Sequence, residues 1–323
     1  MPRQTILVVS DIHYASAAEQ LRTDHEAQVI KTPLLRWLLK FYRHHIWLRE
    51  PMKKNHLLDQ FLGRAQPGDW VVANGDYSCD SGFIGVADDA SFQSAQECLE
   101  KLRVKFAPNF RAAFGDHETG KMSFFGGRGG MRLASFHRAE NGLGLEAFWQ
   151  WLAGNYVLMG VTSSLIALPI FEPDTLPAER EEWSRLRMDH IARIRQAFAD
   201  LRPEQKVILF CHDPTALPFL WEEKVIRDRL PQLERTIIGH LHSPLIAWKS
   251  RLLAGLPVIG FLGNTIKRMS RALRQARKWR DFKVVLCPAL AGIELLKDGG
   301  YLRIEIDPAT EVPARIQRHR IRR

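Results

Sequence analysis

Five short polar runs follow apolar stretches: Asp11-Ile12-His13, Gly75-Asp76, Gly115-Asp116-His117-Glu118, Cys211-His212-Asp213 and Gly239-His240-Leu241-His242. Aspartate oxygens and imidazole nitrogens are ligands that suit Mn²⁺, Fe or Zn²⁺. Two such ions about 3.5–4 Å apart can clamp a phosphoryl group and make hydroxide available from bound water near neutral pH. One run alone carries little weight, because Asp-x-His recurs by chance and a lone buried histidine is ordinarily a hydrogen-bonded core residue. Five in order, each after a strand-like stretch, hold enough ligands for two metal sites.

Ligands so scattered converge when one layered α/β core lines up its strand ends. Residues 6–9 form a continuous apolar run suited to a strand buried on both faces, and Asp11 and His13 follow it. Residues 70–73 open after Pro67-Gly68-Asp69 and deliver Gly75-Asp76, and residues 110–114 deliver Asp116 and His117. Strands at 206–210 and 235–238 lead to the two later histidine runs, and residues 156–161 make a further buried strand. Helices are expected at 91–104 and 178–201, and the alternation with strands resembles β-α-β units. Later strands are expected at 257–262, 283–286 and 301–306.

Three stretches interrupt this rhythm. Residues 31–62 read as helical, with Leu34, Leu35, Leu38, Leu39, Tyr42 and Ile46 three and four apart and Pro51 dividing the stretch. Its Trp37, Phe41, Tyr42 and Trp47 are expected to pack inward as core, the alternative being a membrane-surface face. Residues 120–144 carry seven glycines with Lys121, Arg128 and Arg132, and are expected to form a mobile basic loop beside the site. Residues 267–283 suggest a basic helix with Met269, Leu273, Ala276 and Trp279 on one face, and residues 315–323, with five arginines, a loose tail.

The chain has 323 residues and a formal charge of +10, with a pI near 9.6. That balance favours an anionic partner: a phosphorylated substrate, an anionic membrane surface or, less favoured, nucleic acid. Four cysteines, Cys79, Cys98, Cys211 and Cys287, form no CxxC pair and suggest a reducing compartment. Residues 5–9 enter a strand almost at once, without a secretory leader, and no apolar run reaches the roughly 20 residues that span a bilayer. The expected location is cytoplasmic or peripheral to a membrane, and no obligate protein partner is inferred.

The ordered set Asp-x-His, Gly-Asp, Gly-Asn-His-Asp/Glu, His and Gly-His-x-His resembles the calcineurin-like metallophosphoesterase family, and the resemblance covers residues 5–242. It implies an α/β fold, a two-sheet β-sandwich flanked by helices in four layers, as a single domain over residues 1–323. Residues 31–62 would be a helical insertion and residues 265–323 a basic extension. Asp11, His13 and His242 would hold one metal and Asp116, His212 and His240 the other, with Asp76 bridging them. His117 would steady the transferring phosphoryl group or protonate the leaving oxygen, and Arg128 and Arg132 are candidate phosphate-binding residues.

The implied activity is hydrolysis of a phosphodiester, pyrophosphate or phosphomonoester by a hydroxide bridging two ions. Mn²⁺ is the expected metal, with Fe, Zn²⁺ and Mg²⁺ as alternatives. A nucleotide-linked or lipid-linked substrate such as UDP-2,3-diacylglucosamine is the specific expectation. A nuclease or cyclic-nucleotide phosphodiesterase is one alternative, and a catalytically weak metal-binding scaffold is another. Two positions depart from the family pattern: Asp116 stands where the family has Asn, and Cys79 where it has an acid, with Asp80 one place later.

Overall fold

The computed structural model describes residues 3–66, 68–123, 127–241, 276–307, 309 and 312–322. Among these residues the apolar runs make two five-stranded sheets. The first contains β1 (Gln4–Val9), β2 (Trp70–Ala73), β3 (Phe110–Ala112), β9 (Gly300–Ile306) and β10 (Arg315–Arg320), in the order β10-β9-β1-β2-β3. The second contains β4 (Phe148–Ala153), β5 (Tyr156–Val161), β6 (Lys206–Cys211), β7 (Leu233–Ile238) and β8 (Val284–Leu286), in sequence order. Strands β1, β2 and β3 run parallel, as do β5 to β8, while β9, β10 and β4 pair antiparallel with their neighbours. All five polar runs thereby begin at the carboxyl ends of parallel strands.

Strand periodicity explains why these runs are apolar at every position. Ile6, Val8 and Val72 of the first sheet pack against Tyr156, Leu158, Ile208, Phe210 and Ile237 of the second, and so fill the space between the sheets. Their alternates Leu7, Val9, Val71 and Ala73 face outward and pack with helical residues such as Leu57, Phe61, Leu99 and Phe106. Those helices are α4 (His56–Arg64) and α5 (Asp89–Phe106), following α1 (Ala17–Gln20), α2 (His25–Gln28) and α3 (Pro33–Tyr42) in the chain. On the other side, Val157, Val207 and Leu209 pack with Trp183, Ile194 and Phe198 of the helix Arg180–Ala199. Helix, sheet, sheet and helix make the four expected layers.

Several expectations are corrected. Residues 315–320 are no loose tail: β10 pairs with β9 from Arg315↔Glu305 to Arg320↔Gly300, so the charges of Arg315, Arg318 and Arg320 belong to an edge strand, where they discourage further pairing. The glycine-rich stretch carries α6 (Asp116–Thr119) before it and α7 (Leu133–Leu143) within it. The described residues on either side of 124–126 are tied down, with Lys121 N and Gly130 N donating to Phe83 O and Arg132 N donating to Thr119 O. Trp37 and Phe41 are exposed rather than core, because α3 turns Leu39 inward and leaves the opposite side in solvent. The expected strand at 257–262 and most of the expected helix at 267–283 lie outside the described residues. Among the described residues no helix is long and apolar enough to cross a membrane.

Candidate metal centre

The two sheets meet at the loops that leave their strands. Asp11 N donates to Gly75 O, and Ile12 N and His13 N both donate to Asp76 O, which ties the loop after β1 to the loop after β2. Asp11 Oδ2 accepts from Ser10 Oγ at 2.6 Å and from His240 N at 3.1 Å, which ties the first sheet to the second. Such crowding demands unusual backbone: Asp11, His13, Asp76 and His240 all take positive φ between 50° and 61°. That conformation is costly for non-glycine residues and clusters at functional sites. Gly75 and Gly115 permit the closest approach, since a Cβ on Gly115 would lie 2.2 Å from Asp76 Oδ1 and one on Gly75 2.7 Å from the Gly115 Cα.

Two ligand groups result, and they share a residue. Asp76, Asp116, His212 and His240 offer atoms within 4.8 Å of one another, and so do His13, Asp76 and His117. Asp76 Oδ2 lies 3.2 Å from His212 Nε2 and 3.8 Å from His117 Nε2. Asp116 Oδ1 lies 3.4 Å from His212 Nε2 and 3.1 Å from His240 Nδ1. Asp76 Oδ2 and His212 Nε2 are fully buried and lack a hydrogen-bond partner. Buried polar atoms left in that state are expensive unless a ligand satisfies them, so the donor set fits divalent metal ions.

Backbone carbonyls orient the imidazoles. Ser78 O meets both His117 Nδ1, at 2.9 Å, and His13 Nδ1, at 3.3 Å, and Asn74 O meets His212 Nδ1 at 2.6 Å. A carbonyl only accepts, so each of these Nδ1 atoms carries a hydrogen and Nε2 is the nitrogen left for the cluster, its lone pair available when the ring is neutral. Two further carboxylates hold the loops that carry these carbonyls. Glu118 accepts from Asp76 N, Tyr77 N and Gly115 N, and Glu19 accepts from Cys79 N and Ser81 N.

The charges are mutually supported. Burial opposes ionisation of Asp76, as does Asp116, yet His117 and His212 hold its carboxyl well below the usual range. Burial likewise opposes ionisation of Asp116, against which Lys121 and His240 hold it low. His212 and His240 are raised despite burial, by Asp76 and by Asp116 respectively. Glu118 is pushed up to about 8 by burial and by the Asp76 charge. Without a metal ion, imidazolium charge balances the carboxylates in this cluster.

Lys121, expected only as part of a basic loop, is brought to the site. Its Nζ lies 3.1 Å from Asp116 Oδ2 and 3.4 Å from His117 Nε2. The extra negative charge at Asp116 therefore arrives with a cation beside it. The spacing 116 and 121 was visible in sequence, but a lysine in a glycine-rich stretch gives no sign of where the chain returns. Asp80 does not orient His117: its Oδ1 accepts from Gly85 N in its own turn, and burial raises its carboxyl well above the usual range. Ser78 O takes the orienting role, which no side-chain pattern could have revealed.

Arg132 donates to Met131 O and Gly129 O and so braces its own loop, while Arg128 is exposed. Neither reaches a ligand atom among the described residues. His242 lies outside the described residues.

A family model described as calcineurin-like phosphoesterase matches residues 4–244. No curated protein matches the chain. Among solved structures, the chain is similar to a conserved uncharacterized protein of Streptococcus pneumoniae TIGR4, titled a predicted phosphoesterase. That pair shares 12% identity over 99% of each chain with a TM-score of 0.26, a likeness too slight to carry an argument.

Proposed function

Because the chain belongs to the calcineurin-like phosphoesterase family, we propose that this phosphate ester hydrolase acts on a nucleotide-linked or lipid-linked diester or pyrophosphate. Two divalent ions, Mn²⁺ in this reading, would supply charge neutralisation and a hydroxide nucleophile near neutral pH. The observation that carries the reading is Asp76, whose carboxylate belongs to both ligand groups and keeps a buried oxygen without a hydrogen-bond partner. Asp76 is assigned as the bridge, Asp116, His212 and His240 as one site, and Asp11 and His13 with His242 as the other.

His117 is assigned to the phosphoryl group. With Nδ1 committed to Ser78 O, a proton taken up at Nε2 is aimed at the cluster and can pass to a leaving oxygen. Lys121, beside both Asp116 and His117, adds positive charge where a phosphate oxygen would sit. The net charge of +10 and the exposed apolar side of α3 favour a substrate that joins phosphate to lipid, such as UDP-2,3-diacylglucosamine.

A screen of phosphomonoesters, phosphodiesters, nucleotide sugars and lipid pyrophosphates with added Mn²⁺, run beside metal analysis, tests the proposal. The expected result is close to two ions per chain and turnover of a diester or pyrophosphate, both lost in Asp76→Ala. A chain that takes up no metal, or a variant that keeps full activity, overturns it.

A further inference from the structure

The outward side of α3 carries large apolar side chains that the fold leaves in water. Leu34 is 67% exposed, Trp37 60%, Leu38 47% and Phe41 48%. Their spacing of three and four residues puts them on one face. The rings of Trp37 and Phe41 stack at 5.8 Å, and Phe41 meets His45 at 4.7 Å. The stripe runs on through exposed Ile46, whose carbonyl accepts from Leu295 N, and Leu295 is itself 64% exposed. Two segments far apart in sequence thus bring exposed apolar residues to adjoining backbone, and an exposed apolar stripe like that on α3 ordinarily marks an interaction site.

The charge around the patch selects what covers it. Residues 31–56 contain seven Lys or Arg residues against one acid, Glu50; Lys31, Arg36, Lys40, Arg49 and Lys53 are exposed, Lys40 pairing with Asp24 of the neighbouring turn and Lys53 with Glu50. Aromatic and aliphatic side chains ringed by exposed cations match the boundary between the head groups and acyl chains of an anionic bilayer. A second copy of the chain would bring two cationic faces together, and nucleic acid would leave Leu34 and Leu38 without apolar contact.

We propose that α3, continued by Ile46 and Leu295, docks this protein on an anionic membrane surface and holds the metal centre at head-group level. Arg43, at the end of α3, forms an ion pair with Glu26 of α2. His25 of α2 packs its ring 5.6 Å from Phe83, and Phe83 O accepts from Lys121 N beside Asp116. The docking face is therefore tied to the metal centre through one short helix and one loop. This deepens the lipid-linked reading above, but membrane binding is measured without turnover, so the two can fail separately.

The test is co-sedimentation of the full chain with vesicles of phosphatidylethanolamine and phosphatidylglycerol, and with vesicles of phosphatidylcholine alone. Binding to the anionic vesicles should weaken as salt rises, should exceed binding to the neutral ones, and should fall at least about tenfold in the double variant Trp37→Ser, Phe41→Ser. The variant should keep the melting temperature, the monomer–dimer distribution and the rate of bis-p-nitrophenyl phosphate hydrolysis of the parent chain. A milder Phe41→Leu variant, with an apolar side chain retained, should keep most of the binding. Failure to bind anionic vesicles, or equal binding by parent and double variant, overturns the proposal. A self-association or a nucleic-acid gel shift that the double variant abolishes, without vesicle binding by the parent, also overturns it by assigning the face to another occupant.

Discussion

At the strand ends, aspartates and histidines are buried; on α3, leucine, tryptophan and phenylalanine stand in solvent. Both regions invert the ordinary partition of polar and apolar groups. The inversions differ in how the chain supports them. Around the metal centre several buried groups are each held by several others, as Glu118 is by three backbone N–H groups and Asp116 by Lys121, His212 and His240. Among the described residues the ring contacts of the α3 face are within its own segment, and the helix is joined to the body from behind, through Leu39 and the Arg43–Glu26 pair. Most of the buried charge is supported from within the protein, with Asp76 Oδ2 and His212 Nε2 left for a ligand, whereas exposed apolar surface costs little to folding.

If that contrast holds, the largest effects belong to the buried cluster. Asp76→Ala removes the residue shared by both ligand groups, and hydrolysis should fall by more than the roughly 10–100-fold that changes behind metal ligands cost. Steady-state rates at saturating metal measure it. Glu118→Ala should destabilise the fold by about 3 kcal/mol or more, because three buried backbone donors lose their acceptor. Urea unfolding of the metal-free chain would show it, and a loss under about 1 kcal/mol would break the claim that the polar edge is held from within.

A buried histidine outside the metal centre sharpens the comparison. Burial pushes the His190 ring down to about 3, and its Nε2 accepts from Thr162 N. The unfolded chain takes up this proton below about 6.5, whereas the folded chain holds the ring neutral until about 3. Stability from His190 is thus complete above the unfolded value and is lost as pH falls toward the folded one, by roughly 2 kcal/mol at pH 5. His190→Gln should flatten the stability curve between pH 6.5 and 4, and a variant with an unchanged slope would refute the assignment. His212 and His240, raised by carboxylates, show the opposite response of the same residue type.

Smaller effects are expected from Asp116→Asn. A unit charge at about 4 Å is worth roughly 4 kcal/mol at an effective dielectric near 20, but Lys121 offsets it in place. The variant should fold, bind metal less tightly, and turn over equally or faster once saturated; complete loss of activity at saturating metal would overturn this. Smallest of all, Trp37→Ser should change unfolding free energy by no more than about 0.5 kcal/mol despite the size of the side chain. A loss of several kcal/mol would place Trp37 in the core and erase the contrast.

The sequence was readable where one residue type had one explanation. Apolar runs such as 6–9 and 206–210 are buried on both faces, so no polar alternation blurred them, and the polar runs after them mark the strand ends directly. Strand β4 went unread because Trp149, Gln150 and Trp151 suit several settings, although the two-residue turn Gly154-Asn155 before β5 was an available hairpin signal. The arginines of β10 read as a tail because edge strands use charge as tails do. On α3, leucines three and four apart are compatible with either face of a helix being buried, and only tertiary contacts decide. At the metal centre the ligand types were legible, while the carbonyls of Asn74 and Ser78 were not, since backbone groups leave no trace in residue identity.

The order β10-β9-β1-β2-β3 also governs how the protein is made. β1 lies in the middle of its sheet, paired with β2 on one side and with β9 on the other, from Gln4↔Ile306 to Val8↔Leu302. On the ribosome, β1 emerges long before β9 and must wait for it before its second edge is covered. Contacts of such long sequence separation form slowly, and an apolar strand with one open edge is prone to mispair meanwhile. The metal ligands Asp11 and His13 ride on that waiting strand, so assembly of the centre should be among the final events of folding.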